Sequence, residues 1–357
     1  MAIEVRKDNP AQWREVTEST RDLGPSEVRL RVDRYGLSTN NVTYAHFGDL
    51  MNYWQFFATE DAAWGRVPVW GFADVLESAH PEVGVGERLF GYLPMADELI
   101  ITASRVSPRT LHDHSPHRAS LPGAYNSFSK CATDPLYRAE DEDLLMLLYP
   151  LFFTAWTIDD FLADHDDFGA AVMVISSASS KTSLAVAHLL KRRGVPLVGL
   201  TSAANVAFTA SRGVYDRVLT YEQIGQLDMV PTVFVDVAGN AAVVRRVHEH
   251  LTSLLAHSMV VGATQFGATD DGEGPLPGPR PAFLFAPVQI DKRTGEWGTD
   301  ELARRVAESW FAFTPWAREW IDFVDLTSAQ ECGEAFAALV AGTVSPTVGY
   351  RCSVKGN

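Results

Sequence analysis

The stretch ISSASSKTSLAVAHLLK, residues 175–191, decides how this chain is read. An apolar strand, VMVI, runs into a tight polar turn and then into a helix, the layout of a dinucleotide-binding βαβ unit, yet no glycine stands between Gly169 and Gly194. Phosphate binding by such a turn needs donors aimed at the ligand, room for the backbone to approach, and the free N–H groups of a helix N-terminus. Ala178, Ser179 and Ser180 are small enough to admit a phosphate. Ser176, Ser177, Ser179, Ser180 and Thr182 add hydroxyls, and Lys181 adds a full charge. What glycine would supply is freedom at positive φ, so the turn must use ordinary dihedrals or accept strain. The alternative is a serine-rich N-cap on a plain helix. A Walker A loop is excluded, because both of its glycines are missing.

Outward from this turn, the middle of the chain carries AAVMVISS, VPLVGLTS, DRVLTY, TVFVDVAG and SMVVGAT, short runs rich in Val, Leu and Ile. All but one of the gaps between them can hold a helix, which predicts a parallel, doubly wound sheet. Helices are expected over SKTSLAVAHLLKRRG, AANVAFTASRG and NAAVVRRVHEHLTSLLAH, the last capped by Asn240. The first third is different. EVRLRVDRYG alternates with period two, and PVWGFADVLES, GERLFGYLP and DELIITASRV follow between Gly and Pro turns, so it reads as mainly β. After a Gly- and Pro-rich loop at 270–281 come a strand, AFLFAP, helices around TDELARRVAESWFAF and SAQECGEAFAALVAG, and a last strand near GYRCSV.

The 357 residues suffice for two domains with real cores, and a formal net charge of −15 argues against a nucleic-acid surface, which needs clustered Lys and Arg. Three cysteines without C-x-x-C spacing, Cys131, Cys332 and Cys352, suggest neither a disulfide framework nor a thiolate zinc site, and are expected to be reduced. The opening MAIEVRKDNP is charged from its fourth residue and has no apolar run, so no secretory signal is expected. The longest apolar run, between Asp143 and Asp159, contains Pro150, falls short of a membrane span and reads as a buried helix at a domain junction. The expectation is a cytoplasmic protein without a membrane or nucleic-acid partner.

Several segments together resemble the medium-chain dehydrogenase/reductase superfamily over nearly the whole chain. EVRLRVDRYGLSTNN is similar to its opening strand and the turn toward its catalytic pocket, GERLFGY to its G-D-R-V-x-G strand, LFFTAW to its G-L-T-A-Y segment, and VFVDVAGN with SMVVGAT to its later nucleotide-domain strands. SSASSKT, GLTS, AGN and KRTGEW mark a poorly characterised branch of it. The resemblance implies an α/β protein with a GroES-like β-rich catalytic domain at 1–145, completed by 300–357, and a Rossmann doubly wound domain at 146–299. Where zinc-dependent members carry a His-Glu pair, this chain has Phe72 and Ala73, and it lacks the four-Cys lobe, which places it beside the zinc-free quinone and enoyl reductases.

That placement implies NADP(H) as cofactor, a hydrophobic small-molecule substrate with an activated C=C or carbonyl, and a homodimer as the expected assembly. It assigns catalytic roles to the segment LSTNNVTYAHFGD: Asn41 as hydrogen-bond donor to cofactor or substrate, Tyr44 as proton donor, and Thr43 as the alternative donor. Asn41 as a helix cap and Tyr44 as a half-buried core residue are the competing assignments. On the cofactor side it assigns Thr154; Ser177, Ala178, Ser179, Ser180, Lys181 and Thr182 at the pyrophosphate; Thr201, Ser202 and Asn205 at the ribose; and Ala238, Gly239 and Asn240 with Gly262, Ala263 and Thr264 at later strand ends. The second Rossmann strand ends without the Asp or Glu of an NAD site, so Thr201 and Ser202 are expected to accommodate the 2′-phosphate of NADP.

Nine aromatics between Tyr44 and Phe72 supply core, and Tyr53, Trp54, Tyr125, Asn126 and Trp156 are the residues expected to line a substrate pocket. The three histidines of LHDHSPH, residues 111–117, read as a solvated loop, and His248 and His250 point apart on a helix, so no metal site is expected. Acyl transfer lacks a G-x-S-x-G elbow. A non-catalytic NADP(H)-binding sensor or scaffold remains the second functional class.

Overall fold

The computed structural model describes residues 1–261, 274–284 and 286–353. Its β-rich part holds β1 (Ala2–Arg6), β2 (Trp13–Val16), β3 (Glu27–Leu37), α1 (Thr39–His46), β4 (Trp64–Gly65), β5 (Pro68–Ser78), β6 (Arg88–Pro94), β7 (Glu98–Ser104), β8 (Thr110–Asp113) and β9 (Ser127–Lys130). The middle holds α2 (Glu142–Asp164), β10 (Val172–Ile175), α3 (Lys181–Arg192), β11 (Leu197–Thr201), α4 (Val206–Ser211), β12 (Arg217–Thr220), β13 (Thr232–Asp236), α5 (Ala241–Leu251), β14 (Leu255–Val260) and β15 (Ala282–Phe283). The chain closes with α6 (Ala286–Trp297), α7 (Thr299–Arg318), β16 (Asp322–Leu326), α8 (Ala329–Val340) and β17 (Val348–Cys352).

Two compact units result, Met1–Pro150 with Arg318–Asn357, and Leu151–Ala317. By compactness the chain returns to the first unit at Arg318. The cause is packing: α7 buries Trp310 and Phe313, whose rings lie 5.1 and 5.0 Å from Phe152, so α7 belongs with the second unit.

In the first unit the sheet order is β16-β17-β3-β5-β6-β9-β8-β7, and β7 also pairs with β3. The strands from β3 to β7 thus close on themselves and leave no free edge between them. A small antiparallel sheet, β2-β1-β4, lies beside this barrel. The period-two pattern of EVRLRVDRYGL is expressed as buried Val28, Leu30, Val32 and Tyr35 on β3.

In the second unit the order is β12-β11-β10-β13-β14-β15, with every pairing parallel. Strand order reverses between β10 and β13, the point at which an open α/β sheet opens a crevice at its carboxyl ends. β11 and β13 are buried at all five residues, as expected for strands covered on both faces. The helix expected over AANVAFTASRG is shorter than its pattern: a 3₁₀ turn at Ala203–Asn205 precedes the six residues of α4. Ala139–Asp164 is long and apolar enough to cross a membrane by length and composition, longer than the run between Asp143 and Asp159 because the helix continues into charged residues. Of its most apolar window 61% is buried, as in a core helix.

His188 on α3 stands edge-on to Phe313 and 4.8 Å from Trp316, and its Nε2 has no hydrogen-bond partner among the described residues. Burial, with help from Arg192, lowers its pKa to about 4. A folded pKa below the unfolded value stabilises the fold above the unfolded pKa and loses that contribution as pH falls from about 6.5 toward 4. Replacing His188 with Gln should remove part of the acid sensitivity, about 1–2 kcal/mol between those pH values after allowing for solvent reaching the ring. Denaturant midpoints of parent and variant across this window check it; parallel curves would contradict it.

Candidate active site

The glycine-free turn accepts strain at one residue. Ser177 has φ of 49° in the left-handed region, where a side chain costs about 1–2 kcal/mol, while Ser180 is extended and caps α3. Its surroundings hold it there: Ser177 N donates to the Tyr221 hydroxyl at 3.2 Å, and Ser180 N to the Ser177 carbonyl at 2.7 Å. Ala178 N donates to Leu200 O at 3.0 Å, an approach allowed because a Cβ on Gly199 would lie 2.8 Å from that of Ala178. The buried Tyr215 hydroxyl lies 3.1 Å from the carbonyls of both Ala178 and Ser183. The Ser180 hydroxyl accepts from Ser183 N at 3.2 Å, satisfying one donor of the helix start.

Ser176 binds the turn to the far side of the strand reversal. Its hydroxyl donates to Asp236 Oδ1 at 2.6 Å and accepts from the amides of Val237 and Ala238, both at 2.9 Å. Gly239 N also reaches Asp236 Oδ1, at 3.3 Å. Burial raises the Asp236 pKa and these bonds oppose the rise. Lys181 is buried at the first position of α3, and burial brings its pKa down to about 8. Thr182 is half-buried.

The expected 2′-phosphate group divides. Thr201 Oγ1 and Asn205 Nδ2 both donate to Ser179 Oγ at 3.2 Å, tying the second strand end back to the first turn. Only Ser202 is exposed with no side-chain cap bond, and the 3₁₀ start of the following helix gives a weaker anion site than a full helix would. Arg212 lies over the Phe208 ring and bonds the Phe208 carbonyl. Asn240 spends its side-chain oxygen on capping α5, accepting from Val243 N at 3.1 Å. Thr154 is half-buried on α2, and Gly262, Ala263 and Thr264 lie outside the described residues.

In the first unit α1 puts the assigned catalytic residues in three different settings. Asn41 completes the capping box of α1: its oxygen accepts from Ser38 N at 2.8 Å and its nitrogen donates to Pro68 O at 3.0 Å. Its amide is thus committed to the scaffold, against the expected contact with cofactor or substrate. Thr43 is exposed. Tyr44 is buried, and its hydroxyl accepts from Asn40 Nδ2 at 2.9 Å and Trp70 Nε1 at 3.1 Å. Both lone pairs are occupied, so the phenolic hydrogen is the one group left to be given away. Burial raises the Tyr44 pKa, while the Trp70 and Asn40 donors lower it.

The rings of Tyr53, Tyr92 and Trp70 gather around this hydroxyl, with Tyr44 centroids 4.8 Å from Tyr53 and 5.5 Å from Tyr92. Tyr53 and Tyr125 hydroxyls are 3.4 Å apart. Behind them lies Arg118, fully buried, which donates to Asn126 Oδ1 at 3.0 Å and Tyr125 O at 2.8 Å, pairs with Asp113 at 3.1 Å, and sits over Phe56 and Phe57. Asn126 is thereby a buried support for Arg118. Trp54 is also core: a Cβ on Gly48 or Gly65 would lie 2.0 or 2.4 Å from its ring, so two glycines make its place. Trp156 is buried in the second unit, edge-on to Trp297. The histidines of the 111–117 segment disperse; His117 bonds Phe56 O at 3.2 Å. His248 and His250 likewise bond different partners, Pro277 and Leu227.

A closed β-barrel unit joined to a six-stranded Rossmann sheet is the fold of the medium-chain dehydrogenases/reductases. The solved structures bear this out: CurA from Vibrio vulnificus in complex with NADPH superposes with a TM-score of 0.61 at 14% identity, over 100% of this chain and 99% of that one. The quinone oxidoreductase from Coxiella burnetii gives 0.58 at 15% identity over 99% of each chain, and TarJ from S. aureus in complex with NADPH gives 0.58 at 9% over 99% of each. Residues 35–345 match the family described as protein of unknown function (DUF2855), and the chain belongs to that family. No curated protein matches it.

Because Ser177 holds a left-handed backbone, replacing it with glycine should stabilise the protein by about 0.5–1 kcal/mol, the relieved strain exceeding the entropy glycine adds to the unfolded chain. A denaturant midpoint shifted downward instead would show that the strain is absent.

Proposed function

We propose that the chain is a zinc-independent, NADP(H)-dependent oxidoreductase that reduces an activated C=C or carbonyl of a hydrophobic small molecule. The observation that carries the reading is the Ser177–Ser180 turn at the strand-order reversal, leading into the twelve-residue helix α3. CurA and TarJ, two of the solved structures with this fold, hold NADPH. The fit to a pyrophosphate rests on the small side chains of Ala178, Ser179 and Ser180, the N-terminal amides of α3, and the charge of Lys181. Ser202 is the exposed hydroxyl at the end of β11 for the 2′-phosphate, and Ala238 and Gly239 supply small residues at the end of β13.

A nicotinamide held by this turn would supply the hydride. Tyr44 supplies the proton: its hydrogen is the free valence of a hydroxyl that already accepts twice, and the N–H groups of Asn40 and Trp70 then hold the oxyanion left behind. These donors offset part of the burial cost that keeps the phenol neutral. Phe72 and Ala73 are fully buried and carry no metal-ligating atoms, which supports a mechanism without zinc. The burial of Tyr44 favours one other reading, a non-catalytic NADP(H)-binding sensor or scaffold, in which the phenol is core.

The two readings separate when the protein is mixed with NADPH and quinones, enones and aldehydes. Turnover is expected, and Tyr44→Phe should lower kcat by about 10²–10⁴ while leaving NADPH affinity within a factor of about two. Unchanged kcat would remove Tyr44 from the mechanism, and NADPH binding without turnover across the panel would favour the scaffold. A second experiment addresses the cofactor. NADPH should bind more tightly than NADH, and Ser202→Asp should reverse the order through charge repulsion with the 2′-phosphate. Equal affinities in the parent, or no response to the carboxylate, would show that Ser202 does not read that position.

A further inference from the structure

Three consecutive residues between α2 and β10 hold the left-handed region: Asp166, Asp167 and Phe168 have φ of 50°, 49° and 54°, and Gly169 follows at 68°. Residues with side chains rarely form such a run, and it persists only where the surroundings over-determine it. Two devices do so here. Arg193 donates to Asp167 at 2.8 and 3.2 Å and to Asp159 at 2.7 Å. The Phe168 ring is stacked on two imidazoles, 5.1 Å from His165 at 7° and 4.0 Å from His257 at 2°, so three near-parallel rings are joined. His165 is fixed by its Nδ1, which donates to Phe161 O at 2.8 Å. These rings gather at the amino ends of β10 and β14, whereas Ser177–Ser180 leaves the carboxyl end of β10.

His257 also walls a cavity of about 190 Å³ in the same unit, together with Phe161, Met259, Phe283, Leu284 and Val288. That exceeds the volume of about 150 Å³ at which an apolar cavity takes up benzene. Of the two polar side chains in the wall, Gln289 gives its amide to Asp160, while neither ring nitrogen of His257 has a hydrogen-bond partner among the described residues. Burial and the neighbouring His165 lower the His257 pKa, so at pH 7 the ring is neutral and carries one donor and one acceptor. A phenolic hydroxyl can meet either, and the apolar wall disfavours a charged group. We propose that this cavity binds a small neutral phenol, its ring among the apolar side chains and its hydroxyl bonded to His257, at a site separate from the nucleotide turn. The left-handed run serves this site, because it brings Phe168 against His257 and so sets the plane of the imidazole.

Fluorine NMR of 4-fluorophenol titrated with the full chain at pH 7 tests this. Saturable binding is expected, displaced by phenol but not by benzoate or cyclohexanol, and retained with saturating NADPH. His257→Ala should weaken it about tenfold, the loss of one hydrogen bond and part of the stack. Val288→Glu, at a position 65% exposed and therefore tolerant of substitution, should abolish it by placing a charge in the wall. Absence of saturable binding in the parent, displacement by benzoate as readily as by phenol, loss of binding when NADPH is added, or binding unchanged in Val288→Glu would each overturn the proposal. The Val288 variant decides the matter even where His257→Ala fails to fold.

Discussion

A single buried hydroxyl, Ser176 Oγ, joins the two halves of the Rossmann sheet at the place where their order reverses. It donates to Asp236 at 2.6 Å and accepts from the two amides that follow that carboxylate, so the ends of β10 and β13 are held by three bonds to one atom. The carboxylate is buried and would be costly without these partners. Everything proposed for the nucleotide turn depends on this clamp, because it fixes the residue from which the turn departs.

Departing from a fixed point, a turn without glycine needs its strain concentrated and supported. Ser177 takes the left-handed conformation alone, while Tyr221 holds its amide and Tyr215 braces the carbonyl of the next residue. Ser179 connects onward to Thr201 and Asn205, so the first and second strand ends form one network of hydroxyls and amides. Hydroxyls thus replace glycines as architecture first, and the small volume at Ala178 and Gly199 keeps the backbones close. In the β-rich unit the same logic surrounds Tyr44, whose phenol is set by donors from Asn40 and Trp70 rather than by the neighbouring Asn41.

Local pattern was enough for the elements whose burial is regular. VMVI, LVGLT and TVFVD are mainly apolar because both faces of their sheet are covered, with polar residues only at strand ends, and the serine and asparagine caps of α3 and α5 stand where their sequences put them. Partnerships across long sequence separations were not legible. Nothing near Ser176 points to an aspartate sixty residues on, and Asn40 could not be told from Asn41 without the helix register that turns one to Tyr44 and the other to the cap. In LHDHSPHR the histidines draw the eye, yet Arg118 is the group sealed inside, a consequence of tertiary packing on Phe56 and Phe57. The pattern of TDELARRVAESWFAF gives a helix but cannot say which unit its tryptophan fills.

The central claim is that a serine turn clamped to Asp236 holds a dinucleotide. Hydrogen–deuterium exchange of the full chain with and without saturating NADPH tests it most directly. Protection is predicted in the peptides spanning residues 175–184 and 236–241, where the clamp and the α3 start lie, with little change in the barrel strands β5 and β6. NADPH that leaves both peptides unchanged, or protects only segments elsewhere, would contradict the account.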